Sequence, residues 1–151
     1  MIRLSALASL LMLLGAAYAQ EASDAAKGEV KKLQGTWKTA ALTYNGSDFL
    51  KGGKPGFNFT FKGDEAVIEG NDAVKKEYAK IRVKLDPATM PKSMDITVSG
   101  GVQKDAVIEG IYELKGDELK ICAKVFGNDR PTEFASPEGS SIFLLVLKRQ
   151  K

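Results

Sequence analysis

The sequence predicts an all-β fold: an eight-stranded antiparallel up-and-down barrel, preceded by a short N-terminal helix or tail. Three observations predict it. Apolar and polar residues alternate with period two through seven of eight segments between residues 33 and 149, the mark of half-buried antiparallel strands. The tight links Lys62-Gly63-Asp64 and Lys115-Gly116-Asp117 join neighbouring segments as hairpin turns do. Trp37 near the start of the first segment and Arg149 near the end of the last would meet if those strands paired. That pairing removes the open edges that invite aggregation. An open sandwich is the alternative.

Residues 1–19, MIRLSALASLLMLLGAAYA, combine Arg3, an apolar run and an Ala-Tyr-Ala ending, the make-up of a cleavable secretory signal. The run is too short to span a bilayer comfortably. Cleavage is expected between Ala19 and Gln20, giving an extracytoplasmic protein, periplasmic or secreted, with no stable membrane insertion afterwards. Residues 20–32, QEASDAAKGEVKK, read as a tail or short helix that Ser23 or Asp24 would cap. Gly28 weakens that helix. Residues 33–151 form the barrel domain, and the expected mature chain of about 130 residues suffices for one core.

The first strand is LQGTWKTAALTY, with Leu33, Gly35 and Trp37 on one face. In FNFTFK, Phe57, Phe59 and Phe61 alternate with polar residues. EAVIEG places Ala66 and Ile68 together, and EYAKIRVKLD places Ala79, Ile81, Val83 and Leu85 together. SMDITVS points Met94, Ile96 and Val98 one way, and DAVIEGIYEL does the same with Ala106, Ile108, Tyr112 and Leu114. ELKICAKVF contributes Leu119, Ile121 and Val125, and SSIFLLVLKR is apolar on both faces.

Composition narrows the function. The formal charge is +3 with both signs interspersed, a solvated surface rather than a nucleic-acid stripe. The chain has no histidine, which removes the commonest general base and the usual zinc ligand. No catalytic set, metal site or cofactor motif emerges, so a non-enzymatic protein is expected. Cys122 is the single cysteine; it can form no internal disulfide and reads as an inert, partly buried thiol. Glu69, Asp72 and Glu77 gather at a turn without calcium-loop spacing and read as a solvated turn.

Alternating strand direction sorts the links to two ends. Those at 45–56, 71–76, 99–104 and 127–139 surround one mouth; the short turns, the 87–92 link and the N-terminal tail cover the base. Long loops on a rigid scaffold are where binding tends to sit. An eight-stranded barrel is either filled by its own side chains or holds one small ligand. The residues expected to line such a site are Trp37, Phe59, Phe61, Ile81 and Tyr112 inside, with Arg130 and Phe134 at the mouth. The stretch 127–139, GNDRPTEFASPEG, has two readings. In one, Arg130 and Glu133 orient a ligand that Phe134 covers. In the favoured one, Arg130 and Glu133 pair locally, Pro131 and Pro137 stiffen the loop, and Phe134 plugs the barrel. Gly35, Trp37 and Arg149 are the structural closure, with Gly35 leaving room for the ring or a neighbouring chain.

The opening Leu33-Gln34-Gly35-Thr36-Trp37 resembles the G-x-W start of lipocalins and other calycins, and Leu147-Lys148-Arg149 resembles their Trp-covering Arg. With FTFKGD, KLDPATMPKSMDIT, GIYELKGDELKIC, DRPTEF and LLVLKR, the chain is similar to an uncharacterised lipocalin-like domain family common in planctomycete bacteria. The resemblance implies a calycin barrel and brings no established activity with it. Two roles follow as expectations: a binding domain for a small hydrophobic or amphiphilic ligand, or a protein-interaction module. The second would engage a protein partner through the tail or surface loops, as calycin-type protease inhibitors do. No nucleic-acid partner is expected.

Overall fold

A computed structural model describes residues 5–151, with side chains described from residue 15 onward; Arg3 of the expected signal lies outside them. One long helix, α1 (Ser5–Leu33), runs through most of the expected signal and all of residues 20–32, where a tail or short helix is predicted. It passes unbroken through Ser23, Asp24 and Gly28, so neither Ser23 nor Asp24 is a cap. Packing accounts for the difference. Ala26, Glu29, Val30 and Leu33 recur at helical spacing and are the more buried positions, with Glu29 6% exposed and Leu33 fully buried. Such tertiary contact outweighs the roughly 1 kcal/mol that one glycine costs a helix. No described helix is long and apolar enough to cross a membrane.

The strands follow: β1 (Gly35–Tyr44), β2 (Ser47–Asp48), β3 (Asn58–Lys62) and β4 (Glu65–Glu69). After a short helix, α2 (Asp72–Glu77), come β5 (Lys80–Asp86), β6 (Ser93–Gly100), β7 (Val107–Lys115), β8 (Glu118–Lys124) and β9 (Ile142–Arg149). Strand β2 is a two-residue flap on the end of β1. The other eight pair antiparallel in sequence order, and β9 returns to β1 with Trp37 opposite Arg149. The result is a closed, eight-strand up-and-down barrel.

A bulge divides β1. Thr39 faces Leu147 and Ala41 faces Val146, so Ala40 is an extra residue. The insertion shifts the side-chain phase by one. Trp37 and Thr39 point inward below it, and Leu42 and Tyr44 above it. Without it the alternation would turn Leu42 and Tyr44 outward.

The base is solid. Trp37, Phe61, Met94, Tyr112, Leu119 and Leu147 are all at most 2% exposed. Leu33 belongs to the same cluster, and its carbonyl accepts the Trp37 indole N–H at 2.7 Å. Gly35 adopts φ +104°, and a Cβ there would meet nothing closer than 3.9 Å. Its contribution to closure is therefore backbone conformation, not the space that the sequence suggests.

Candidate functional site

Toward the other end the filling stops. A cavity of about 310 Å³ lies between the barrel walls, the lower end of the range for small-molecule sites. Leu42 and Tyr44 come from β1, Phe49 from the turn after β2, Phe57 from just before β3 and Phe59 from β3. Ile68, Ile81, Ile96, Ile108 and Ile121 form the opposite wall from five strands. Val125, Phe126, Phe143 and Leu145 complete it beside the 127–139 loop, and Val74 and Tyr78 reach over it from α2. None of the lining residues is charged. Phe126 is 67% exposed, so the cavity reaches the outside at this rim.

Local sequence explains the cover. Asn71 Oδ1 accepts the Val74 N–H at 3.1 Å, the N-cap bond that starts α2. Asp72 in its first turn and Lys75 and Lys76 in its last suit the helix dipole. Asn71 also donates to the Pro55 carbonyl at 2.9 Å, which ties α2 to the 45–56 link. At the far end, Gln103 Nε2 donates to Glu77 at 3.0 Å, and the Val102 N–H donates to the Lys76 carbonyl.

Of the seven residues expected to line a site, Phe59 and Ile81 do so. Trp37, Phe61 and Tyr112 face inward but lie in the packed base, out of the cavity. Tyr112 is occupied there: its hydroxyl donates to Glu29 at 2.9 Å. Arg130 and Phe134 are on the outer wall. Arg130 donates to the carbonyls of Gly110 (2.7 Å) and Met94 (3.3 Å) and pairs with Asp95 at 2.7 Å, with Glu109 at 3.9 Å. Its partner is thus not Glu133, which is exposed. Phe134 lies under Lys120, whose Nζ is 5.7 Å from the ring centre; it does not plug the barrel.

The 127–139 loop is therefore a strap rather than a rim. The carbonyls of Glu133 and Ala135 both lie 3.5 Å from the Cys122 sulfur, which is fully buried. Burial pushes that thiol up, partly opposed by the Ala135 hydrogen bond and reinforced by the Glu133 charge. Cys122 pairs across strands with Ile111, 1% exposed. Both occupy the outward phase of their strands, and the loop covers them. An apolar pair at outward positions was the readable signal that something must lie over this wall.

Leu42, Tyr44, Phe49, Val74, Tyr78, Phe126, Phe143 and Leu145 line the cavity without having been singled out from the sequence as inward-facing. The α2 pair was accessible through its capping Asn71 and the charge order along Asp72–Glu77. Tyr44 was hidden by the bulge.

No family model matches the chain, and no curated protein matches it, so the planctomycete resemblance gains no support there. Among solved structures, the crystal structure of a mutant of the fluorescent protein UnaG aligns with 81% of this chain and 99% of its own, at 12% identity and a TM-score of 0.43.

Proposed function

We propose that the barrel binds one small, largely apolar molecule in the cavity beneath α2. The observation that carries this is an open-rimmed space of about 310 Å³ whose lining is hydrocarbon and aromatic apart from two tyrosines. The proposed role is binding without catalysis, in keeping with a chain that has no histidine. The test is saturable binding of the neutral dye Nile red, read as a blue-shifted emission and a raised melting temperature. Replacing Ile108, on the cavity wall, by Trp fills the space and should abolish binding while the fold is kept. Dye binding that survives Ile108→Trp and Ile96→Trp unchanged would place the dye elsewhere and defeat the reading. Trp37 is a poor direct reporter, since it sits in the base.

We further propose export, with cleavage after Ala19. The support is the make-up of residues 1–19, and the check is the N-terminal mass of the exported protein. Membership of the planctomycete lipocalin-like family rests on the quoted stretches alone. A protein-interaction role through residues 20–32 is the second reading. Ala26–Leu33 includes the positions seated on the barrel, while residues 20–25 are exposed. Partner capture that is lost with residues 20–25 removed would favour it.

A further inference from the structure

The cavity is apolar except at two side chains. Tyr44 is brought inward by the Ala40 bulge, and Tyr78 is held at the end of α2 by its N–H bond to the Val74 carbonyl at 2.8 Å. Both are half-buried and both line the same space. Burial raises the Tyr78 phenol above its ordinary value, and the neighbouring Glu77 carboxylate adds to this. Tyr112 differs, because its hydroxyl is engaged by Glu29. Among the described residues, no protein hydrogen bond engages the hydroxyl of Tyr44 or Tyr78. Two phenols, each able to donate and accept, thus stand in an apolar wall with their bonding capacity unused by the protein.

The charges around them indicate what they suit. Glu77, next to Tyr78, is held by Gln103 outside the lining. Lys54 lies 5.5 Å from the centre of the Phe49 ring, also outside the lining. An ionised head group drawn in among the lining residues would meet no charged side chain there and would lose hydration without compensation. A neutral hydroxyl or carbonyl loses far less hydration than an ion, and phenol hydrogen bonds can replace what it loses.

We propose that Tyr44 and Tyr78 determine specificity for a ligand with one neutral hydrogen-bonding head group, an alcohol or a ketone. The head group stays at the mouth, and the hydrocarbon body points toward the packed base. This rests on the binding reading above and adds the ligand's polarity and direction to it.

The experiment is displacement of Nile red, at neutral pH, by octane, octanol, an octanone, octanoate and octylamine. The proteins are wild type, Tyr44→Phe, Tyr78→Phe and the double variant. Octanol and octanone should displace the dye at concentrations about fivefold to tenfold below octane, as one or two neutral hydrogen bonds allow. Each single Phe substitution should cut that preference about twofold to threefold and the double variant should remove it, the preference being read as the octanol-to-octane ratio within each protein. Retention of the octanol preference in the double variant overturns the assignment. So does stronger displacement by octanoate or octylamine than by octanol in the wild type. If neither dye nor octane binds any of the proteins, the cavity-binding reading itself has failed. Equal displacement by octane and octanol in the wild type sinks only the tyrosine assignment.

Discussion

Arg149 ties three parts of the fold together: the indole of β1, the end of α1 and the turn before β8. Its guanidinium carbon lies 4.2 Å from the centre of the Trp37 ring. The same group donates to the carbonyls of Gln34 at 2.7 Å and Lys32 at 2.6 Å, and to Asp117 at 3.1 Å. It therefore covers the indole, occupies carbonyls that the end of α1 leaves open, and sits on the β1–β9 seam. A planar fork suits these directions together; an ammonium does not. Arg149→Ala should cost about 3 kcal/mol, summing a cation–π contact with the lost hydrogen bonds. Arg149→Lys should recover less than half of that. Urea midpoints measure both, and a lysine variant as stable as wild type would contradict the fork argument. This pairing was visible from Trp37 and Arg149 alone, because the two ends of a closed sheet must meet. The helix carbonyls were not visible, since they depend on where α1 stops.

At the scale of elements, period-two alternation identified the inward faces of β3, β5 and β6, where no insertion disturbs the phase. It failed at Ala40. A bulge is decided by the partner's register, here Thr39 against Leu147 and then Ala41 against Val146, and one strand's own sequence does not contain that information. The strap was misplaced for a related reason: prolines and a Phe134 state that a loop is fixed, not which surface fixes it. Its anchor is testable. Arg130→Ala removes a partly buried guanidinium from two carbonyls and Asp95, so it should cost about 2 kcal/mol while leaving Nile red affinity unchanged. A drop in affinity at equal stability would return the loop to the mouth. Under the same strap, β7 and β8 approach closely at Gly110, where an added Cβ would come within 2.7 Å of the Ala123 Cβ and the Cys122 carbonyl oxygen. Gly110→Ala should therefore destabilise by about 1–3 kcal/mol through overpacking. Pairing it with Ala123→Gly should recover part of the loss. A Gly110→Ala protein with an unchanged melting temperature would show that the strands can part at no cost.

Over the whole molecule, a buried carboxylate is one of the links that join the helix to the barrel. Glu29 accepts the Tyr112 hydroxyl at 2.9 Å and pairs with Lys32 at 2.9 Å and Lys92 at 3.2 Å. Burial pushes its carboxyl up, but Lys32, Tyr112 and Lys92 together hold it below the ordinary value of 4.5. A group whose folded value is depressed stabilises the fold fully above its unfolded value, and that contribution disappears as pH falls through the folded one. The seating of α1 on the base should therefore be intact at neutral pH and weaken progressively below about pH 4.5. Glu65, Asp117, Glu118 and Asp129 are also held low by Lys and Arg partners, so acid weakens the wild type through several groups at once. The difference between wild type and Glu29→Gln separates them, because those carboxylates are common to both proteins. At neutral pH the wild type should be about 1–3 kcal/mol the more stable, and that advantage should shrink toward zero in acid. Nile red affinity per folded molecule should not change, because Glu29 lies at the base and the cavity near the opposite end. An advantage that persists undiminished to about pH 2 would mean that the carboxylate charge does not help to join helix to barrel.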